Sequence, residues 1–167
     1  MSRHVILVLG DQLDRASAAF DGFDRRRDGV WMAEVAEEST HVWTHKARIA
    51  VFLAAMRHFR DGLLKERIDI DYTELKAKPA AREPATLAAA LEASLARAAK
   101  AGQRPERLII VEPGEWRVQE ALKAAAAQAG IPLEIRPDRH FFCSREEFAA
   151  HATGRKQLRL EYFYRPL

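Results

Sequence analysis

Two short runs constrain this chain more than anything else in it. Residues 4–9 (HVILVL) and Arg107–Val111 (RLIIV) are nearly continuous apolar stretches dominated by Val, Ile and Leu. A run of that length, closed by a turn residue such as Gly10, fits a strand buried on both faces. Strands buried on both faces belong to parallel sheets with helices covering each side.

The segments between them supply what such a sheet needs. Residues 30–35 (VWMAEV) form another apolar run after the turn-like Arg27-Asp28-Gly29. Val42, Ile49, Phe52, Met56, Phe59 and Leu63 then recur at steps of seven, three, four, three and four, which is one stripe along a helix. Lys46, Arg57 and Arg60 fall mostly off it. Residues 68–75 (IDIDYTEL) alternate apolar and polar, as a strand nearer the sheet edge would. Residues 76–84 are polar with two prolines and read as a loop. Helices are expected over 85–101, stopping at Gly102, and over 115–129, stopping at Gly130. Leu133–Arg136 reads as a fifth strand, and 146–152 as a short helix with Ser144 upstream as its cap.

Strands alternating with helices predict an α/β domain built on a doubly wound, five-stranded parallel sheet. At 167 residues the chain fits one such domain. No internal repeat appears. No stretch is apolar for long enough to span a bilayer, and the N-terminal run is too short and too soon followed by Asp11 to be a signal peptide. The single cysteine, Cys143, leaves no internal disulfide and no cysteine metal cage. A cytoplasmic protein with no membrane partner is expected. The net charge of +3 is spread among mixed signs, and the triplet Arg25-Arg26-Arg27 sits between Asp24 and Asp28. It reads as a solvated loop rather than a phosphate clamp.

In doubly wound sheets ligands bind outside the carboxyl ends of the strands, where strand order reverses. Three segments fall there: Gly10, Asp11, Gln12 and Leu13 after the first strand, residues 34–39 after the second, and residues 112–117 after the fourth. The first turn has one glycine and matches no phosphate-cradling pattern, and its aspartate would repel a pyrophosphate. Asp11 and Gln12 suit a neutral ligand bearing hydroxyls or ring N–H groups, or they cap the next helix. Glu34, Glu37 and Glu38 could serve as acid and base, or simply favour the positive end of a helix near residue 40. His41 and His45 share a helical spacing but not a metal-site pattern. Glu112-Pro113-Gly114-Glu115-Trp116-Arg117 makes a tight turn into a helix, with Trp116 on the sheet and Arg117 on a carboxylate as its plain structural use. No pattern supports a nucleophile. The aromatic, arginine-flanked residues 158–167 (LRLEYFYRPL) are unlike a loose terminus. They should pack back on the domain or meet a partner, a second copy included.

LGDQL, EVAEES, AAMRHF, VEPGEWR, DRHFF, GRK and EYFYR occur here in the order in which they occur in one family. The whole chain resembles the amino-terminal domain of the prokaryotic photolyase-related proteins, the iron–sulfur bacterial cryptochromes and (6-4) photolyases. The chain departs from the usual pattern at His41 and at Thr44-His45. The resemblance implies a Rossmann-like domain over 1–140 that binds an antenna chromophore, 6,7-dimethyl-8-ribityllumazine. It implies that 141–167 connect to a helical domain holding FAD and a [4Fe-4S] cluster, which would act on DNA in photorepair or in blue-light signalling. That domain is expected to be missing from this chain, so nothing catalytic is expected of the chain alone. By resemblance the chromophore site comprises Gly10, Asp11, Gln12, Leu13, Glu34, Glu38 and Phe52, with Glu112 and Pro113 beside it. Two other roles stay open: a docking module with an empty pocket, and a small-molecule enzyme using the 34–38 carboxylates.

Overall fold

The computed structural model describes residues 3–76 and 83–165. Most of the proline-bearing loop expected at 76–84, and the last two residues of the tail, lie outside them. The sheet has five strands: β1 (His4–Leu7), β2 (Gly29–Ala33), β3 (Asp69–Thr73), β4 (Arg107–Val111) and β5 (Leu133–Arg136). Their order is β3-β2-β1-β4-β5 and every neighbouring pair is parallel. This is the expected doubly wound, Rossmann-like sheet. The alternating strand β3 lies at an edge, where one face needs less cover.

Alternation along each strand divides the core in two. Leu7, Trp31, Leu108 and Ile110 point to one side and pack with Leu91, Leu95 and Leu122 of α3 (Leu87–Lys100) and α4 (Trp116–Gln128). Ile6, Val30, Met32 and Ile109 point to the other, against Met56 and Leu63 of α2 (Lys46–Lys65). Each such buried side chain contributes roughly 1.5–3 kcal/mol. The alanines that swell the apolar composition have a place here. Ala90, Ala125 and Ala126 are buried on α3 and α4 in the first of these clusters.

The chain runs outward from β1 to β3, then returns to the far side of β1 as β4. The loops leaving β1 and β4 therefore diverge, and a crevice opens between them. The connection from β1 to β2 holds only a 3-10 turn (Ala18–Phe20), so Asp11 and Gln12 cap no following α-helix. Strand β1 stops at Leu7 rather than residue 9, although Val8 still donates to the Trp31 carbonyl at 3.0 Å.

The helix expected from residue 42 begins only at Lys46: a short α1 (Ala36–Thr40) precedes it, Val42 lies between the two, and the rest of the apolar stripe is on α2. His45 closes the gap as the N-cap of α2, its Nδ1 accepting from Ala47 N–H at 3.2 Å. Helix α5 (Arg145–Ala152) begins directly after Ser144, which forms a capping box with Glu147. A further turn, α6 (Leu160–Tyr164), was not evident from periodicity. Its Phe163 is buried against Phe148 and His151, with ring centroids 5.0 Å apart in each case. Tyr162 and Tyr164 remain exposed, so the aromatic tail is only partly docked.

Candidate functional site

A cavity of about 390 Å³ lies over the carboxyl ends of β1, β2 and β4. The turn after β1 contributes Gly10 and Asp11, the turn after β2 contributes Glu34, Val35 and Glu38, and the turn after β4 contributes Pro113, Gly114 and Glu115. The amino-terminal half of α2 forms a further wall through Ile49, Phe52 and Leu53. This explains the length of the apolar stripe. Its carboxyl half, Met56 to Leu63, packs on the sheet, whereas its amino half overhangs the strand ends and faces the cavity.

Gly10 sets how closely α2 approaches. A Cβ there would fall 2.5 Å from Cζ of Phe52 and 2.9 Å from Sδ of Met56. Only glycine admits the Phe52 ring at this distance from the backbone.

Below the cavity, Glu34 is buried and accepts four hydrogen bonds. Arg57 Nε and a terminal guanidinium nitrogen each donate at 2.8 Å, Leu75 N–H donates at 2.9 Å, and the Tyr72 hydroxyl donates to Oε1. Burial by itself would raise this carboxyl. The bonds from Arg57, Tyr72 and Leu75 outweigh it and hold Glu34 below the ordinary carboxylate range. Burial, and then the bond to Glu34, pushes the Tyr72 hydroxyl above its usual range. Glu34 thus joins α2, β2 and the end of β3, and fixes the cavity floor.

Arg117 organises the opposite rim. It pairs with Glu38 at 3.0 Å, Glu115 at 3.1 Å and Glu37 at 3.3 Å, drawing α1 onto the start of α4. Asp11 keeps solvent contact, yet partial burial, with Glu115 and Asp138 nearby, moves its carboxyl above the usual value. Among the described residues no group of three or more His, Cys, Asp or Glu side chains is placed to hold a metal ion.

The sequence matches the family model described as deoxyribodipyrimidine photo-lyase-related protein over residues 6–167. The chain belongs to that family. It is also 39% identical over 163 residues to a (6-4) photolyase of Agrobacterium fabrum, a match covering 98% of this chain and 31% of that protein. The chain therefore spans about a third of the length of the curated relative it matches.

Six of the positions carried over from photolyase-related proteins surround the cavity: Gly10, Asp11, Glu34, Glu38, Phe52 and Pro113. Three stand elsewhere. Gln12 donates through Nε2 to the carbonyls of Val111, at 3.2 Å, and Glu112, at 3.0 Å, tying the first turn to the end of β4. Leu13 packs on the α2 side of the core. Glu112 pairs with Arg145 at 3.0 Å and faces a second cavity of about 740 Å³ between the end of β5 and the α5–α6 segment. Trp116 does not pack on the sheet. It is exposed, with Lys123 over its ring at 5.5 Å. Arg117 does take carboxylate partners, three of them. Among the residues that sequence reasoning missed at the cavity are Val42, Trp43, Arg48, Ile49 and Leu53. The stripe contained Val42 and Ile49, but a periodic pattern does not tell a core contact from a cavity wall.

Proposed function

We propose that this cavity is the antenna site of a photolyase-related protein, binding 6,7-dimethyl-8-ribityllumazine. The light it collects would pass to a flavin on a further domain, for DNA photorepair or blue-light signalling. The supporting observation is the division of the cavity into one apolar wall and one acceptor-bearing rim. Ile49, Phe52 and Leu53 offer a surface for a flat ring, while Asp11 and Glu115 offer acceptors to ring N–H groups and ribityl hydroxyls. A volume of about 390 Å³ lies within the usual range for small-molecule sites. Arg117 is committed to three carboxylates, and the first turn is not a phosphate cradle. Both features suit a neutral polyol, and Arg48 on the same lining can donate to its hydroxyls. Glu34, Glu37 and Glu38 are each held by an arginine, which disfavours their use as a free acid–base pair.

The FAD, the [4Fe-4S] cluster and the DNA surface implied by the family would belong to that further domain. One cysteine supplies too few thiolates for the cluster. The test is a fluorescence titration of the purified chain with the lumazine. Saturable binding with a shifted absorption band is expected, and no binding refutes the proposal.

Exposed Phe141, Phe142, Tyr162 and Tyr164 favour a docking role for the carboxyl-terminal segment in addition. Light scattering before and after deletion of residues 158–167 tests whether that surface pairs two copies.

A further inference from the structure

We infer that Trp43 is the stacking residue of this cavity, presenting its indole face to a flat, neutral, fused nitrogen heterocycle. The inference deepens the proposed antenna site and rests on it for the class of ligand. Trp43 lines the cavity and is 93% exposed, although tryptophan is a side chain that folding normally covers. Its neighbour Val42 also lines the cavity and is 70% exposed. Single exposed apolar residues are common, but two adjacent ones on the rim of a cavity continue its apolar wall outward. The same cavity is lined by Asp11 and Glu115, whose carboxylates accept hydrogen bonds.

The site therefore offers a broad aromatic face on one side and acceptors at an edge. That pairing recognises a planar ring whose faces are apolar and whose edge carries N–H groups. The backbone from His41 to His45 is neither helix nor strand. The indole is thus free of the helical stripe that commits Met56 and Leu63 to the core.

The experiment titrates the wild-type chain, Trp43→Ala and Trp43→Phe with 6,7-dimethyl-8-ribityllumazine and, separately, with riboflavin. Aromatic stacking of this kind makes the alanine variant bind about ten-fold more weakly. Trp43→Phe keeps an aromatic face and retains most of the affinity. Ligand also quenches tryptophan emission in the wild type; in a Trp116→Phe background, which removes the other exposed indole, Trp43→Ala loses part of that quench while buried Trp31 keeps the rest. Unchanged lumazine affinity in Trp43→Ala overturns the inference and leaves the antenna site standing. A wild type that ignores lumazine but binds riboflavin in a Trp43-dependent way removes the antenna reading and keeps the stacking role. A wild type that binds neither overturns both.

Discussion

Replacing Glu34 by glutamine tests whether a buried ion pair holds the floor of the cavity. The side chain is fully covered and accepts from Arg57 twice, from Leu75 N–H and from the Tyr72 hydroxyl. Glutamine keeps the shape but turns one acceptor oxygen into a donor, which must then face Arg57 or Leu75 N–H. Stranding one partner of a buried pair costs about 3–5 kcal/mol. The Arg57 side chain is 37% exposed and regains water when released, so the expected loss is smaller, about 2–4 kcal/mol.

In urea this appears as a lower midpoint with an unchanged slope, a drop of about 1–2 M for a slope near 2 kcal/mol per M. The acid side gives an independent check. The folded state holds the Glu34 carboxyl below its unfolded value. Its contribution is therefore fully present above the unfolded value, near 4.5, and is lost as pH falls through the lower folded one. The wild type should lose stability over that interval, and Glu34→Gln should lose correspondingly less. A midpoint change worth under about 0.5 kcal/mol, the level of an ordinary surface substitution, or an identical acid limb in both proteins, would refute the assignment.

Gly10→Ala forces the Phe52 ring and the Met56 sulfur off the first turn and should lower stability by about 1–2 kcal/mol, read by urea unfolding; combining it with Phe52→Leu should recover part of that loss, since Met56 stays in the way. Arg117→Met leaves Glu37, Glu38 and Glu115 facing one another, and because this cluster is about a third exposed the cost should stay near 1 kcal/mol and shrink in 1 M salt. Ser144→Ala removes the α5 capping box and should cost about 1 kcal/mol, with faster amide exchange in the first turn of that helix and unchanged exchange in β4.

Local pattern was enough to determine the sheet. The runs HVILVL and RLIIV are apolar on both faces, and only a sheet covered on two sides accepts such strands. The alternation in β3 likewise announced its edge position. The place of the site followed from the fold class, since divergent loops after β1 and β4 open a crevice wherever strand order reverses. Helix stops at Gly102 and Gly130 were legible because both adopt positive φ, at 66° and 65°.

The work done by the site residues was another matter. Glu34 and Arg57 lie 23 positions apart, and no periodicity relates a turn carboxylate to a guanidinium on the next helix. The sequence presented Arg57 as a charge off the apolar stripe, and only the packing of α2 over the end of β3 made it the partner of a buried acid. Gln12 shows the same limit. Beside Asp11 it looked like a ligand contact, whereas the close approach of the β1 and β4 loops gives its amide two backbone carbonyls instead.

Sequence alone determined the five strands, the longer helices, the parallel arrangement and the family, because each is carried by local spacing and by motifs in order. Tertiary structure decided which polar side chains face the cavity and which hold it together. That choice depends on distances between segments far apart in the chain, and burial makes an unpaired charge too costly to leave to chance.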